Sequence, residues 1–377
     1  MIDVAELLET LVRIDSVNPA LDPRGRGEAA VAEVLVRELR ALGLEPAAEE
    51  VLPGRPNVVA VLPGAEGAPR LLLEAHMDTV PQPQEPIAVA RAGDRLTGRG
   101  ACDTKGACAA MLAAVERLAR EDVAHATVVF AAVVDEESGM TGARALADNG
   151  HAVDFAVIGE PTSLRPIRVH NGVIRFALVA HGAAAHTSEA HLGVNAISAM
   201  ARALTAIDSK LRPQIERRSH PLAGAALLTP AIVEGGSAVN VVPDRCEVRF
   251  DRRLAPGESV GAALAEVDAV LEPLRAAGDR IVREEPTLVL SAAETAADDP
   301  HVRAVERAAG AAAEGAPYCT DACVLAGEHG IPFAVLGPGS IEHAHTPQEW
   351  VSVDEVRRAV DVYVALARAL AEEERNP

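Results

Sequence analysis

The sequence predicts an α/β protein: a mostly parallel sheet covered by helices, interrupted by an inserted α+β unit of ferredoxin-like type. Three observations predict it. The chain has 377 residues, more than one hydrophobic core usually organises. Its first half alternates helical patterns with continuous apolar runs, the mark of strands buried on both faces. After Pro166 the order becomes β-α-β-β-α-β, the split arrangement of an antiparallel sheet with helices on one face.

The elements follow in order. Val4, Leu7, Leu8, Leu11 and Val12 share one face of an N-terminal helix, and the early acids there do not resemble a signal peptide. A helix is expected over 27–43, stopped by Gly43, then strands at 57–62 and 70–75. A helix at 106–120 separates these from strands at 126–134 and 155–159. The inserted unit reads as a strand over 168–181, a helix over 192–208, strands at 225–234 and 245–254, a helix at 258–276 and a strand at 280–288. The α/β pattern resumes with helices at 300–313 and 321–329, a strand at 331–336 and a terminal helix at 353–373. The expected boundaries are therefore 1–167 and 289–377 for the larger domain, with 168–288 inserted.

Composition narrows the classes of partner. With 49% hydrophobic and 24% charged residues, the chain reads as soluble and globular. A net charge of −20 leaves nothing to offset phosphate repulsion, which excludes nucleic acid. No apolar run approaches the ~20 residues a membrane span needs. Five cysteines, odd in number and thinly spread, read as reduced thiols in a cytoplasmic protein.

Six potential metal or acid–base residues stand where apolar strands end or in glycine-rich loops: His76, Asp103, Glu136, Glu137, Glu160 and His345. In extended chain, residues two apart face the same way, so Asp78 can accept the second ring N–H of His76 and fix its tautomer. Asp103 lies in Gly98-Arg99-Gly100-Ala101-Cys102-Asp103-Thr104-Lys105-Gly106. That loop lacks the order of a P-loop, and on its own Asp103 reads first as a helix cap. Asp135-Glu136-Glu137 ends a wholly apolar strand, and three adjacent acids repel one another unless a cation or solvent receives them. One of the two glutamates can bind metal while the other acts as general base. His343 and His345 are both open to a ligand role by spacing. Together these residue types suit a two-zinc hydrolytic centre.

The set HMDTVP, GRGACDTKG, DEESG, GEPTS, HGAAAHTS, NVVPDRCEVRFDRR, TDA, GPG and AHTPQEW, in that order, resembles the acetylornithine deacetylase / succinyl-diaminopimelate desuccinylase / aminoacylase family of di-zinc metallopeptidases. The resemblance spans the chain and implies a catalytic domain with an inserted lid that also forms a homodimer interface. It implies that Asp103 bridges two metals, with His76 and Glu160 at one and Glu137 and His345 at the other. It implies Glu136 as general base and Asp78 as the residue orienting His76. His186 resembles the lid histidine that polarises the scissile carbonyl, from its own or a partner subunit. Asn240 and Arg253 match substrate-handling positions, and Gly337 and Gly339 lie in the loop expected near the substrate carboxylate. Two Zn²⁺ against three carboxylates and two neutral histidines leave one positive charge, which a bound hydroxide balances. Cobalt or manganese are alternatives to zinc.

The function so implied is hydrolysis of the amide of an N-acyl amino acid, as in acetylornithine deacetylase. Succinyl-diaminopimelate desuccinylase and a dipeptidase or carboxypeptidase acting on short peptides are the alternatives within the family. A non-catalytic, metal-binding dimeric scaffold is the alternative outside it, and Glu136 and His186 speak against that, since a scaffold needs neither base nor oxyanion donor.

Overall fold

The computed structural model describes residues 2–373, which divide into two compact units. The first comprises residues up to 168, 294–314 and those from 320 onward; the second comprises 169–293 with 315–319.

The first unit is built on a sheet whose central strands, Thr127–Val133, Arg70–His76, Phe155–Ile158 and Phe333–Val335, run parallel in that spatial order. Antiparallel strands lie outside them: Arg55–Leu62 and Ala47–Leu52 on one side, and Ile167 beside Val335 on the other. The central strands are buried nearly end to end, as expected of strands covered on both faces. The helix Lys105–Arg120 is buried almost all round, and its alanines at 107, 109, 110, 113 and 114 let it lie close to its neighbours. Helices Val4–Arg13 and Val353–Glu373 pack beside it. All five apolar positions expected of the first helix are buried.

In the second unit the strands lie in the order Leu227–Gly235, Arg245–Leu254, Gly172–His181, Arg280–Arg283, all antiparallel. This is the order of a split β-α-β sheet. Alternate residues Ile174, Phe176, Leu178 and Ala180 of one strand and Cys246, Val248 and Phe250 of its neighbour form a core with helices Ala196–Ala206 and Val260–Ala276.

Several elements differ from expectation. The strand expected over 168–181 divides after His170 into Ile167–His170, which pairs in the first sheet, and Gly172–His181, which pairs in the second. The strand expected over 280–288 divides into Arg280–Arg283 and Leu288–Leu290 around Pro286, which has no N–H to give the ladder. The helix expected over 321–329 shrinks to Ala322–Leu325 ahead of Gly327. The hairpin strand Ala47–Leu52 was not expected, since its exposed or half-buried residues carry two central glutamates and show neither a continuous apolar run nor strict alternation. Among the described residues no helix is long and apolar enough to cross a membrane, and all five cysteines are free.

Candidate metal centre

The parallel strands deliver their acids and histidine to one place. His76 ends Arg70–His76, Glu136 and Glu137 follow Thr127–Val133, and Glu160 follows Phe155–Ile158. The carboxyl ends of parallel strands are where open α/β sheets bind ligands. Asp103 arrives from the loop before Lys105–Arg120, and His345 from the loop before Trp350–Ser352.

His76 Nε2 lies 3.0 Å from Asp103 Oδ1 and 3.8 Å from Glu160 Oε1. His345 Nε2 lies 3.0 Å from Asp103 Oδ2 and 3.1 Å from Glu137 Oε1. The two oxygens of Asp103 thus face different histidines, the arrangement of a carboxylate shared by two ions. Ligand atoms of His76, Asp103 and Glu137 lie within 4.8 Å of one another, and so do those of His76, Glu136 and Glu160. By distance alone, Glu136 stands among the ligands. His343, the other histidine open by spacing, instead packs in a tilted arrangement against Trp350 with ring centroids 4.6 Å apart.

The electrostatics have one cause, an excess of buried negative charge. Burial pushes Glu136 and Glu160 well above the usual carboxylate range and raises Glu137 as well. Burial also opposes charge on His76 and Asp103. Hydrogen bonds to Asp103 and Asp78 outweigh it at His76, holding it well above its ordinary value, and hydrogen bonds from His345 and His76 hold Asp103 below its own. Hydrogen bonds to Asp103 and then Glu137 raise His345 to about 10. Divalent cations bound by the same oxygen and imidazole atoms would balance that charge. The donor set therefore fits a pair of such cations.

Asp78 works differently from expectation. The ring Nδ1 of His76 lies 3.0 Å from the backbone oxygen of Asp78 and 3.5 Å from its carboxylate, so the carbonyl is the nearer acceptor. The carboxylate accepts the N–H groups of Glu136 and Glu137, at 3.1 and 3.2 Å, and the side-chain amide of Asn18 at 2.7 Å. It therefore shapes the acidic turn as well as flanking the histidine. Asn18 also donates to Asp135, whose backbone is left-handed (φ 68°) and whose side chain accepts from Thr141. Asn18 was missed by sequence reasoning, because nothing separates it locally from an ordinary loop asparagine. Glu74, two residues before His76, was missed as well. It is fully buried and, mainly through burial, raised to about 8; Asp321 beside it is raised well above the usual range.

Gly337 packs on the backbone of Glu160, where a Cβ would meet its carbonyl oxygen at 2.5 Å, so the loop supports that acid directly. Gly339 donates its N–H to Glu355. The remaining expected residues belong to the second unit. The Nδ1 of His186 accepts the backbone N–H of Ser188 at 3.2 Å and lies 2.7 Å from its hydroxyl, which leaves the proton of a neutral ring on Nε2. Asn240 is adjacent, its carbonyl accepting the N–H of Thr187 at 3.1 Å. Arg253 donates to Asp251 at 2.7 Å, and its Nη1 lies 3.8 Å from Cys319 Sγ.

Comparison with known proteins identifies the family. Residues 72–369 match peptidase family M20/M25/M40. The chain is 33% identical to an acetylornithine deacetylase of Vibrio campbellii, covering 98% of this chain and 97% of that one. It is 34% identical to the acetylornithine deacetylase of Vibrio parahaemolyticus, over 96% of each. Its fold is shared with an aminopeptidase from Bacillus cereus (TM-score 0.83, 24% identity, 98% of each chain covered). A dinuclear metal-binding peptidase from Bacillus subtilis shares it too (TM-score 0.74, 19% identity, 98% of each).

Proposed function

The chain belongs to peptidase family M20/M25/M40, a metallohydrolase family, and from that premise we propose that it cleaves the amide bond of an N-acyl amino acid in the manner of acetylornithine deacetylase. The observation that carries this reading is Asp103, whose two carboxylate oxygens each meet a different histidine at 3.0 Å. The relatives at 33–34% identity, named acetylornithine deacetylase, support the substrate class.

His76 and Glu160 would hold one cation and Glu137 and His345 the other, with Asp103 available to both. Zinc suits this oxygen and imidazole set, with cobalt or manganese as alternatives. Such ions, when bound, polarise a carbonyl and lower the pKa of a coordinated water. Glu136 takes the proton of the attacking water and returns it to the leaving amine. A carboxylate raised by burial suits both halves of that task. His186 donates its Nε2 proton to the developing oxyanion, the role the resemblance gives it. Arg253 pairs with the substrate's α-carboxylate, exchanging or sharing its present partner Asp251. Asn240 and the Gly337–Gly339 loop complete the substrate contacts. The inserted unit is the lid and the homodimer surface. Its exposed Leu192, Val194, Ile197, Val233 and Val239 support the latter. A cytoplasmic location goes with this reading.

The test is a substrate panel. Chelator-stripped protein is reloaded with Zn²⁺, Co²⁺ or Mn²⁺ and assayed on N-acetyl amino acids, N-succinyl amino acids and dipeptides. The highest kcat/KM is expected on an N-acetyl amino acid. Preference for N-succinyl substrates or dipeptides would move the assignment to the desuccinylase or dipeptidase branch. Two bound ions with no turnover of any substrate would leave only a scaffold.

A further inference from the structure

Asp103 is gripped from behind as well as in front. Its carboxylate meets the two histidines, while its backbone N–H donates to Glu349 Oε1 at 3.1 Å. The same oxygen accepts the N–H of Cys102 at 3.0 Å. The other oxygen, Oε2, pairs with Arg99 Nη1 at 2.5 Å, and the carbonyl of Glu349 accepts the N–H of Gly98 at 3.1 Å. One residue thus makes four contacts within residues 98–103. Glu349 is 1% exposed and Arg99 5%, so both charges are withdrawn from water and have each other. Such a pair is a poor source of net stability, because desolvation cancels much of its attraction. What it does supply is geometry, since charge-assisted hydrogen bonds hold their partners at short, fixed distances.

His345 lies four residues before Glu349. The 345–349 segment therefore touches Asp103 at both ends, with the imidazole on the carboxylate and the glutamate on the backbone N–H. Beyond it, Trp350 pairs with Thr97, so the two chain segments run together into a short sheet.

We propose that Glu349 and Arg99 are positioning residues. They lock the Asp103 loop to the segment bearing His345 and so set the site formed by Asp103, Glu137 and His345. This rests on reading Asp103 as a shared ligand. His76 and Glu160 stand on strand ends that Glu349 does not touch in any described hydrogen bond. Losing the clamp therefore loosens one ion more than the other.

The experiment is calorimetric titration of chelator-stripped protein with Zn²⁺, together with the Co²⁺ absorption spectrum, for the parent and Glu349→Gln. Glutamine keeps an acceptor for the two N–H groups but turns an amide NH₂ toward the Arg99 guanidinium. The ion at Asp103, Glu137 and His345 should lose affinity by about tenfold or more, the size seen when residues behind metal ligands are changed, while the ion at His76 and Glu160 changes far less. The double variant Arg99→Met/Glu349→Gln removes the donor–donor conflict and should regain part of the loss. If Glu349→Gln does not fold, Arg99→Lys tests the same claim, with a smaller shift in the same direction. Unchanged affinities with a lowered Tm would reduce the pair to plain structure and overturn the proposal, and so would equal weakening of both ions. A parent protein that binds fewer than two ions would instead overturn the shared-ligand reading beneath it.

Discussion

The two sides of Asp103 are built from different material. On one side stand His76, 1% exposed at the end of a central parallel strand, and Glu160, 8% exposed at the end of the next. On the other stand Glu137, in a turn after a strand, and His345, in a loop with a left-handed backbone (φ 60°) and a side chain 51% exposed. His76 is fixed within a hydrogen-bonded sheet, and Glu160 follows two residues after one of its strands. The second pair depends on contacts its loops make, chiefly Asp78 beneath the acidic turn and Glu349 behind the Asp103 loop. A ligand on a strand end costs little ordering when a cation binds, whereas a ligand on a loop must be ordered by its neighbours. The His76 side should hold its ion more tightly and exchange it more slowly.

The largest effect should come from removing the residue common to both sides. Asp103→Ala should lower bound zinc from two ions per chain to one or none, with turnover lost, as read by metal analysis of the dialysed protein. Two retained ions would mean that the comparison has no shared centre.

Glu136 sharpens the comparison on the His76 side, because its carboxylate lies within ligand distance of His76 and Glu160. Glu136→Gln should keep both ions and lose roughly 10²–10⁴ in kcat, the usual worth of a general base. If metal content falls in step with activity, Glu136 is a ligand and the proton-transfer role passes elsewhere.

Next in size is the asymmetry itself. Competition with a chelator such as dipicolinate should strip the parent protein in two phases. His345→Ala should delete the fast phase and leave the slow one. His76→Ala should weaken the tighter ion by at least about tenfold. A single phase in the parent, or equal loss in the two variants, would erase the distinction between strand-borne and loop-borne ligands.

The same division explains what the sequence reveals. His76 and Glu160 are legible because each follows an apolar run that can only be a buried strand, such as Leu71-Leu72-Leu73 or Phe155-Ala156-Val157-Ile158. Once those strands are known to be parallel, their ends must converge. Asn18 and Glu349 are not legible as supports, since their partners Asp78 and Asp103 lie 60 and 246 residues away and no local pattern joins them. Glu74 hides for the opposite reason. It sits inside a strand pattern that a reader passes over, and it is buried only because the sheet is covered on both faces. The break at Asn171 is equally invisible, since the strands that pair on its two sides, around Val335 and over Arg245–Leu254, lie far away in sequence. By contrast, Pro286 announces its break directly.

The smallest effect tests whether protons and cations compete for one cluster. In metal-free protein, His345 has a folded pKa of about 10 against 6.5 unfolded. Its stabilisation is complete below about pH 6.5 and is lost as pH rises through 10; His76, also raised, acts in the same direction. Glu136, Glu137 and Glu160, raised by burial, add to this trend, because each costs stability once pH exceeds its unfolded value of 4.5. Asp103 and Asp78 are lowered, so their contribution is present above 3.8 and fails only in acid. The Tm of stripped protein should therefore fall between pH 6.5 and 10, by an amount on the order of a few degrees, since His345 is half exposed and partly screened. With zinc the slope should reverse from pH 6 to 8, because ligands must lose their protons to bind. Thermal melts with and without zinc across that range decide the matter. Parallel slopes would mean that the acids and histidines around Asp103 do not share their protons with the metal, and the two sides would then differ in packing alone.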